Sequence, residues 1–475
     1  MKLPAVSREA VLRIMRMAAV NGCQCPAHSQ SFSGISAQNC ASKTQQQNSK
    51  EYAVEMACSN IRYGKGVTAE VGMDLQNMNA KHVALFTDKN LVNLPPVLET
   101  IKSLEQNNIN FSLFDNVRIE PTDVSFQEGI DFAKNGNFDA FLAVGGGSVI
   151  DSAKAANLLL CHPNHELLDF VNAPIGKGLP TENELKPLLA VPTTAGTGSE
   201  TTGVAVFDYT PLKAKTGIGN RALRPLLGIV DPLHTLHMPA RVTANSGFDV
   251  FCHALESYTA IPYTERSPRP SNPKLRPAYQ GSNPISDVWS KHALKVCVDY
   301  LKRAVSDPHD MEARSEMHLA SVFAGIGFGN AGVHLCHGMS YALSGMVKKY
   351  QAEDYNVEHA LVPHGLSVII TAPAVFNYTA PACPERHLDA AEILGVDISN
   401  AKKEDAGPIL SDAIRKFMYD LNVDDGISSF GYTSLDIPDL VNGTLPQHRV
   451  TKLAPAGEPA PEEFSMIYEQ SLKIY

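Results

Sequence analysis

Residues 140–148, with the sequence AFLAVGGGS, decide the fold class that this chain of 475 residues is expected to adopt. The first five residues are apolar and predict a strand that is buried on both faces. The strand runs directly into a turn where bare backbone could approach a pyrophosphate and the next helix could direct its N–H groups at the phosphates. The residues of this turn are Gly145, Gly146, Gly147 and Ser148. An ordinary tight turn remains an alternative, and the absence of the G-x-G-x-x-G fingerprint makes the expected domain Rossmann-like rather than a standard Rossmann fold.

Short apolar runs and amphipathic stretches alternate on both sides of this segment, from about Glu51 to Asp231. The predicted strands are 82–87, 109–114, 140–144 and 188–191, and the predicted helices include 123–134 and 150–160. This alternation indicates a parallel sheet with helices on its faces. After Pro239 the pattern is helical, most clearly at 248–258, 292–304, 313–326 and 408–421. We therefore expect an α/β dinucleotide-binding domain at 51–238, an all-α metal-binding domain at 239–475, and the active cleft between them.

A second glycine-rich turn follows the strand at 188–191 and has the sequence PTTAGTGSE at 192–200. Its hydroxyls and N–H groups could meet the first turn around a single dinucleotide. Asp88 ends the strand at 82–87, where a carboxylate can accept hydrogen bonds from the ribose hydroxyls of NAD. A capping role at the start of a helix is the alternative for Asp88.

The helical half contains a candidate metal site. Asp249 and His253 lie four residues apart, so a helix would place them on one face. His337 and His364 are candidate further ligands because each precedes a glycine. The chain has 16 histidines, and spacing alone does not select these two over competitors such as His334. Three histidines and one aspartate would suit Fe²⁺ and Zn²⁺ equally.

The motifs at 145–154, 192–200, 247–258 and 363–365 resemble, in the same chain order, those of the iron-containing (group III) alcohol dehydrogenase family. The resemblance extends from about residue 55 to the C-terminus. It implies a dehydroquinate synthase-like architecture and an oxidoreductase with a divalent metal held by Asp249, His253, His337 and His364. It also implies NAD(H) on the glycine turns and Asp88, with the cofactor side lined by Thr193, Thr194, Thr197 and Lys215.

Longer strings at 276–287, 327–341 and 450–455 resemble a mitochondrial branch of this family that exchanges hydride between hydroxyacids and oxoacids. The branch implies oxidation of 4-hydroxybutyrate to succinic semialdehyde and reduction of 2-oxoglutarate to D-2-hydroxyglutarate, through a metal-bound alkoxide and a tightly bound NAD(H). A conventional NAD-dependent alcohol dehydrogenase that releases NADH is the alternative. A non-catalytic dinucleotide-binding protein is the alternative from another class.

One position departs from the family pattern. Many members have a second histidine four residues after the third metal ligand, and this chain has Tyr341 there. A phenol can relay a proton, so Tyr341 is a candidate catalytic residue, or it can only shape the pocket.

Both implied substrates carry a carboxylate away from the reacting carbon, and a guanidinium binds a carboxylate through two parallel hydrogen bonds. The Pro-rich segment at 261–287, predicted to be an ordered loop or flap, follows the metal-binding helix. We expect the substrate-carboxylate site among its four cations, Arg266, Arg269, Lys274 and Arg276. Solvated loop charges are the alternative.

Composition sets outer limits on partners and location. A net charge of −10 and a pI of about 5.9 argue against nucleic acid as a partner. No apolar run reaches the roughly 18 residues of a membrane span, so membrane insertion is not expected. Residues 1–50 hold one acid, Glu9, among several cations, which predicts a mitochondrial transit peptide, or a disordered tail, and favours the matrix. The nine cysteines lack the spacing of a disulfide framework, which predicts free thiols. The sequence does not determine the oligomeric state, and a homo-oligomer is one possibility.

Overall fold

The glycine-ended strand lies inside a parallel sheet in the computed structural model, which describes residues 49–475. The predicted transit peptide lies outside the described residues except for its last two positions. The strands are β1 (Asn60–Tyr63), β2 (His82–Phe86), β3 (Asn110–Phe114), β4 (Ala140–Gly145), β5 (Leu188–Pro192), β6 (Val204–Tyr209), β7 (Ala214–Gly219) and β8 (Leu227–Val230). Six of them form a sheet in the order β1-β8-β5-β4-β2-β3, with every neighbouring pair parallel. Strands β6 and β7 form a separate antiparallel hairpin.

Helices cover this sheet, which confirms the predicted α/β fold. They are α1 (Val71–Asn77), α2 (Pro95–Gln106), α3 (Asp123–Asn135), α4 (Gly147–Cys161) and α5 (Leu167–Phe170). Strands β4 and β5 are buried along their whole length, as expected for central strands of a parallel sheet. The sequence pattern does not predict β1 and β8, which have only four residues each, or the β6–β7 hairpin.

The described chain beyond Val230 contains no strand, which confirms the predicted helical C-terminal part. Its helices are α6 (Ala240–Thr259), α7 (Pro284–Ser306), α8 (Met311–Ala331), α9 (Leu335–Gly345), α10 (His364–Ile369), α11 (Ala372–Thr379), α12 (Pro384–Ile393), α13 (Ala406–Asp420), α14 (Ile437–Thr444), α15 (His448–Thr451) and α16 (Pro461–Gln470). One large apolar core joins them, with Phe251 of α6 stacked on Phe417 of α13 at a centroid distance of 5.2 Å. The division into domains at 238/239 stays a prediction, since Lys50–Tyr475 form one compact unit.

The segment predicted to be a loop or flap is ordered in short pieces. It contains two turns of 3-10 helix, Tyr263–Glu265 and Pro273–Leu275, and its last residues begin α7. The carbonyl of Arg266 accepts a hydrogen bond from the N–H of Glu51 at 2.9 Å, which ties the segment to the start of the described chain. The segment is therefore attached to the rest of the protein at more than its two ends.

The sheet topology determines where the candidate site lies. Strand β4 pairs with β2 on one side and with β5 on the other. Their carboxyl ends are adjacent, so Asp88 and the two glycine-rich turns meet at one edge of the sheet, as the sequence pattern predicts.

Two further sequence-based expectations concern membranes and cysteines. Among residues 49–475, no single helix is long and apolar enough to span a membrane, and α8 and α9 meet that test only as a pair bent by 103°. The six cysteines in this part of the chain are free: Cys58, Cys161, Cys252, Cys297, Cys336 and Cys383.

Candidate active site

A cleft of about 340 Å³ opens at the carboxyl ends of β2, β4 and β5. Most residues predicted to bind NAD line this glycine-turn cleft, namely Asp88, Gly146, Gly147, Ser148, Thr193, Thr194 and Thr197. Gly145 is not part of the lining, because it ends β4 and its carbonyl accepts a hydrogen bond from the N–H of Thr193 at 3.1 Å. Lys215 lies in a different cavity, described below.

The two glycine-rich turns pack directly against each other. A Cβ atom added to Gly147 would lie 2.6 Å from Cγ2 of Thr197, and one added to Gly146 would lie 3.1 Å from Cγ2 of Thr194. Gly147 is also the first residue of α4, where backbone N–H groups lack partners within the helix. A narrow floor of bare backbone beside a helix N-terminus fits the pyrophosphate of a dinucleotide.

Two polar side chains of the cleft already have protein partners. Oδ1 of Asp88 accepts hydrogen bonds from the N–H groups of Asn90 at 2.8 Å and Leu91 at 3.2 Å. Asp88 therefore caps the turn after β2, and burial raises the pKa of its carboxyl; its contact with ribose stays a prediction. Oγ of Ser148 accepts a hydrogen bond from the N–H of Glu120 at 3.2 Å.

The four predicted metal ligands converge from three helices. Asp249 and His253 lie one turn apart on α6, His337 lies in the first turn of α9, and His364 begins α10. From Oδ1 of Asp249, the distances to the Nε2 atoms are 3.5 Å for His253, 3.4 Å for His337 and 3.7 Å for His364. The structure thus brings together all four residues that the resemblance implies.

The geometry of this cluster suits a metal ion, because one ligand atom each of Asp249, His253 and His337 lie within 4.8 Å of one another, and Nε2 of His364 lies 3.7 Å from Oδ1 of Asp249. Oδ1 of Asp249 and Nε2 of His337 are buried and have no hydrogen-bond partner among the described residues, a state that is costly unless an ion binds there. Burial alone would raise the pKa of Asp249, but the charges of His253, His364 and His337 lower it below its usual range.

A second carboxylate, missed in the sequence analysis, orients the ligand His337. Glu256 lies on α6, one turn beyond His253, and its Oε2 bonds to Nδ1 of His337. Its Oε1 accepts hydrogen bonds from the backbone N–H groups of His334 at 3.1 Å and Cys336 at 2.7 Å. Glu256 therefore also caps the N-terminus of α9. A carboxylate on Nδ1 keeps the proton there and leaves the lone pair of Nε2 free for a metal. The spacing 249, 253, 256 along one helix face was the available signal.

Replacing Glu256 by glutamine is expected to weaken metal affinity by about 10- to 100-fold, because the amide cannot fix the His337 tautomer as a carboxylate does. Competition with a chelator of known affinity measures the effect. Glu200→Gln is the matched control, because Glu200 is as deeply buried as Glu256. Burial raises the pKa of Glu200 to about 7, and glutamine resembles the protonated form of this side chain. Equal losses of affinity in both variants would contradict the assignment of Glu256.

The metal ligands line a second cavity of about 100 Å³, which we call the metal-ligand cavity. Six residues line both this cavity and the glycine-turn cleft: Glu120, Gly147, Ser148, Thr197, Asp249 and His364. The two spaces therefore meet at the first turn of α4. A group held by the glycine turns and a group held by the metal ligands would be neighbours.

An ion-pair network forms one wall of the metal-ligand cavity. Lys215 on β7 is almost fully buried and pairs with Glu120 and, at 3.3 Å, with Asp208. Burial alone would lower the pKa of Lys215, but these two carboxylates raise it above its usual range. Glu120 lines both cavities and was missed by the sequence analysis, because no motif marks it. Lys215, predicted on the cofactor side, thus lies beside the metal ligands.

Tyr341 also lines the metal-ligand cavity, with its ring 6.4 Å from that of His364. Its hydroxyl oxygen accepts a hydrogen bond from Nη2 of Arg449 at 3.0 Å. The Arg449 guanidinium also lies over the ring of Tyr279, 5.0 Å from its centroid. Arg449, on α15, is the cation that the structure brings next to Tyr341, and no sequence motif marks it.

The cations predicted to bind the substrate carboxylate lie elsewhere. Arg276 forms two hydrogen bonds with the Glu51 carboxylate, both at 3.1 Å, and Arg269 lies over the ring of Tyr52 at 5.0 Å. Arg266 lines a third cavity. The side chain of Lys274 lies outside the described part of the structure. None of these three arginines lines the metal-ligand cavity. Two of them, Arg276 and Arg269, contact Glu51 and Tyr52 near the start of the described chain instead.

The chain matches one enzyme family over most of its length. Residues 58–232 match the family described as "Iron-containing alcohol dehydrogenase", and residues 278–472 match "Fe-containing alcohol dehydrogenase family, C-terminal". The chain is 63% identical over 473 residues to "Hydroxyacid-oxoacid transhydrogenase, mitochondrial" of Rattus norvegicus and 61% identical over 473 residues to the Homo sapiens protein of that name, with 100% of each chain covered. It is also similar to the solved sulfoacetaldehyde reductase of Bifidobacterium kashiwanohense in complex with NAD⁺, with a TM-score of 0.71, 25% identity, and 89% of this chain and 99% of that chain covered.

Proposed function

The chain belongs to the iron-containing alcohol dehydrogenase family and is an oxidoreductase, and from this premise we propose that it is a mitochondrial hydroxyacid-oxoacid transhydrogenase. The observation that carries the proposal is the shared lining of the glycine-turn cleft and the metal-ligand cavity. A metal beside a nicotinamide is the arrangement needed to move hydride between alcohols and carbonyls. The full-length identity to the rat and human transhydrogenases supports the choice of reaction within the family.

The family implies NAD(H) and a divalent metal as cofactors. We propose that Asp249, His253, His337 and His364 bind the metal, as Fe²⁺ or Zn²⁺, and that NAD(H) stays tightly bound on the glycine turns. When bound, the metal supplies a Lewis acid for the substrate oxygen, and the nicotinamide supplies the hydride carrier.

The side chains around the ligands hold them for this task. Glu256 fixes the tautomer of His337, as described above, and Phe328 stacks on His253 with ring centroids 3.8 Å apart. Rings held in this way keep their Nε2 atoms directed at one point. Of the two roles predicted for Tyr341, we propose the structural one, because its oxygen already accepts a hydrogen bond from Arg449.

The proposed substrates are 4-hydroxybutyrate and 2-oxoglutarate. In the first half-reaction 4-hydroxybutyrate would lose a hydride and the proton of its hydroxyl and would leave as succinic semialdehyde, and NAD⁺ held by the glycine turns would supply the hydride acceptor. In the second, 2-oxoglutarate takes up the hydride and a proton and leaves as D-2-hydroxyglutarate. The cycle consumes no external NAD and releases no net proton. A conventional dehydrogenase of the same family would instead release NADH at each turnover.

The proposed reaction is tested with purified, metal-loaded protein freed of unbound NAD. Given both substrates, the protein is expected to form succinic semialdehyde and 2-hydroxyglutarate in equal amounts, measured by mass spectrometry. The single-substrate mixtures are the controls: 4-hydroxybutyrate alone should react at most once per bound NAD⁺, and 2-oxoglutarate alone at most once per bound NADH. If products appear only when NAD⁺ is added and NADH then accumulates, the protein is a conventional dehydrogenase.

A further inference from the structure

A third cavity, of about 500 Å³, adjoins the metal-ligand cavity. The two share Val204 and Tyr279 in their walls, and neither residue lines the glycine-turn cleft. The third cavity therefore lies next to the metal-ligand cavity on a side that the glycine turns do not occupy. Residues from the 261–287 segment, the β6–β7 hairpin and α15 form its walls.

Cations dominate this space, which we call the basic cavity. Arg266, Arg449 and Lys452 line it, and the acidic residue in its described lining, Glu265, is ion-paired with Lys50. The positive charges are thus not balanced by the walls themselves. A cavity lined by one sign of charge concentrates ligands of the opposite sign, here small carboxylates.

Arg449 differs from the other buried cation at the site in having no acidic partner among residues 49–475. Lys215 pairs with two carboxylates, whereas no acidic side chain of the described residues forms an ion pair with Arg449. Its Nη2 donates to Tyr341, while its Nη1 is buried without a hydrogen-bond partner in residues 49–475. A buried guanidinium with an unused donor is costly unless an anion binds to it.

We propose that Arg449 binds the remote carboxylate of both substrates, which reach the metal ligands through the basic cavity. The proposal rests on the proposed function. In 4-hydroxybutyrate and in 2-oxoglutarate alike, two methylene groups separate the reacting carbon from the remote carboxylate. One fixed cation next to Tyr341, which lies one helical turn from His337, can therefore serve both half-reactions. Substrates can also exchange without passing the glycine-turn cleft, as a retained cofactor requires.

Arg449→Gln tests the proposal on the metal-loaded, NAD-containing enzyme. The KM values for 4-hydroxybutyrate and 2-oxoglutarate are expected to rise by the same factor, about 10- to 100-fold, as for the loss of a charge-assisted hydrogen bond. The dissociation constant of succinate, a non-reacting dicarboxylate, should rise similarly in calorimetry. Metal and NAD contents should not change, and Arg449→Lys should restore part of the affinity.

Two further variants separate the possible outcomes. Arg415→Gln removes an exposed arginine that pairs with Asp412 on α13 and should change neither KM nor succinate binding. Arg266→Glu reverses a charge in the basic cavity and should lower kcat/KM for both substrates several-fold.

Unchanged KM and succinate binding in Arg449→Gln, with an active wild type, would overturn the inference alone. A fall in kcat or metal content at unchanged KM would show a purely structural role and overturn it too. An inactive wild type would instead contradict the proposed function.

Discussion

Replacing Asp249 by alanine is expected to remove the metal and to lower transhydrogenation turnover at least about a thousandfold. A Lewis acid contributes several kcal/mol to the stabilisation of a developing alkoxide, which corresponds to a rate factor of this size. Asp249 is the centre of the ligand cluster, because its Oδ1 lies within 3.7 Å of the Nε2 atoms of all three histidines. Without its negative charge, the three imidazoles remain as neutral ligands only.

Metal content per chain and the two-substrate turnover number are the measurements for Asp249→Ala. His318→Ala is the control, since His318 is a buried titratable residue like Asp249 and its ring nitrogens have no hydrogen-bond partner among residues 49–475, but it lies beside His234 rather than in the ligand cluster. The control is expected to lose some stability but to retain its metal. Full metal occupancy in Asp249→Ala would contradict the ligand assignment.

Replacing Gly365 by alanine is expected to destabilise the fold by about 3 kcal/mol and to displace the ligand His364, which precedes it. A Cβ atom at position 365 would lie 1.8 Å from the backbone oxygen of Asn245 and 3.0 Å from the backbone nitrogen of Asp249. Helices α6 and α10 are in direct backbone contact here, so no flexible side chain can move aside. The free energy of unfolding, from chemical denaturation, and metal content are the measurements.

Gly329→Ala controls for the general effect of a glycine substitution in a helix. Gly329 lies in α8, and an added Cβ would meet its nearest neighbour, Cγ2 of Thr202, at an ordinary 3.4 Å. Alanine there is expected to leave stability unchanged or to raise it by up to about 1 kcal/mol. If Gly365→Ala behaves like this control, close contact between α6 and α10 is not what positions His364.

The sequence predicts the central sheet well, and the reasons are local. The strands at β2, β4 and β5 are continuous apolar runs, and each ends in a polar or glycine-rich turn that marks its carboxyl end. The short edge strand β1 has no fully buried residue and so no pattern that distinguishes it from a loop. The short strand β8 and the β6–β7 hairpin are recognisable only from their pairing partners.

The metal site is only partly predictable from residue spacing. The four-residue spacing of Asp249 and His253 predicts that both lie on one helix face. His337 and His364 lie on two other helices, and only the resemblance to the family selected them. Glu256 lies on the same face as the first pair and could have been found from its spacing. Which histidines lie beside α6 depends on how the helices pack, and residue spacing does not show this packing.

The substrate-carboxylate site shows the limit of reasoning from sequence. Nearness in the chain to the metal-binding helix suggested the cations of segment 261–287, yet Arg276 pairs with Glu51 and Arg269 contacts Tyr52. The cation that contacts Tyr341 and lines the basic cavity, Arg449, lies on α15, far along the chain. Only the folded structure shows that its charge lacks an acidic partner in the part of the chain that the structure describes.

Transfer of a label tests the central claim most directly. The enzyme would receive 4-hydroxybutyrate with two deuterium atoms at C4, together with 2-oxoglutarate and an excess of unlabelled NADH and NAD⁺. We predict that each 2-hydroxyglutarate molecule carries one deuterium at C2, because the hydride passes through a cofactor that does not leave. Unlabelled 2-hydroxyglutarate, with deuterium accumulating in the free NADH, would contradict the proposal of a transhydrogenase with a retained cofactor.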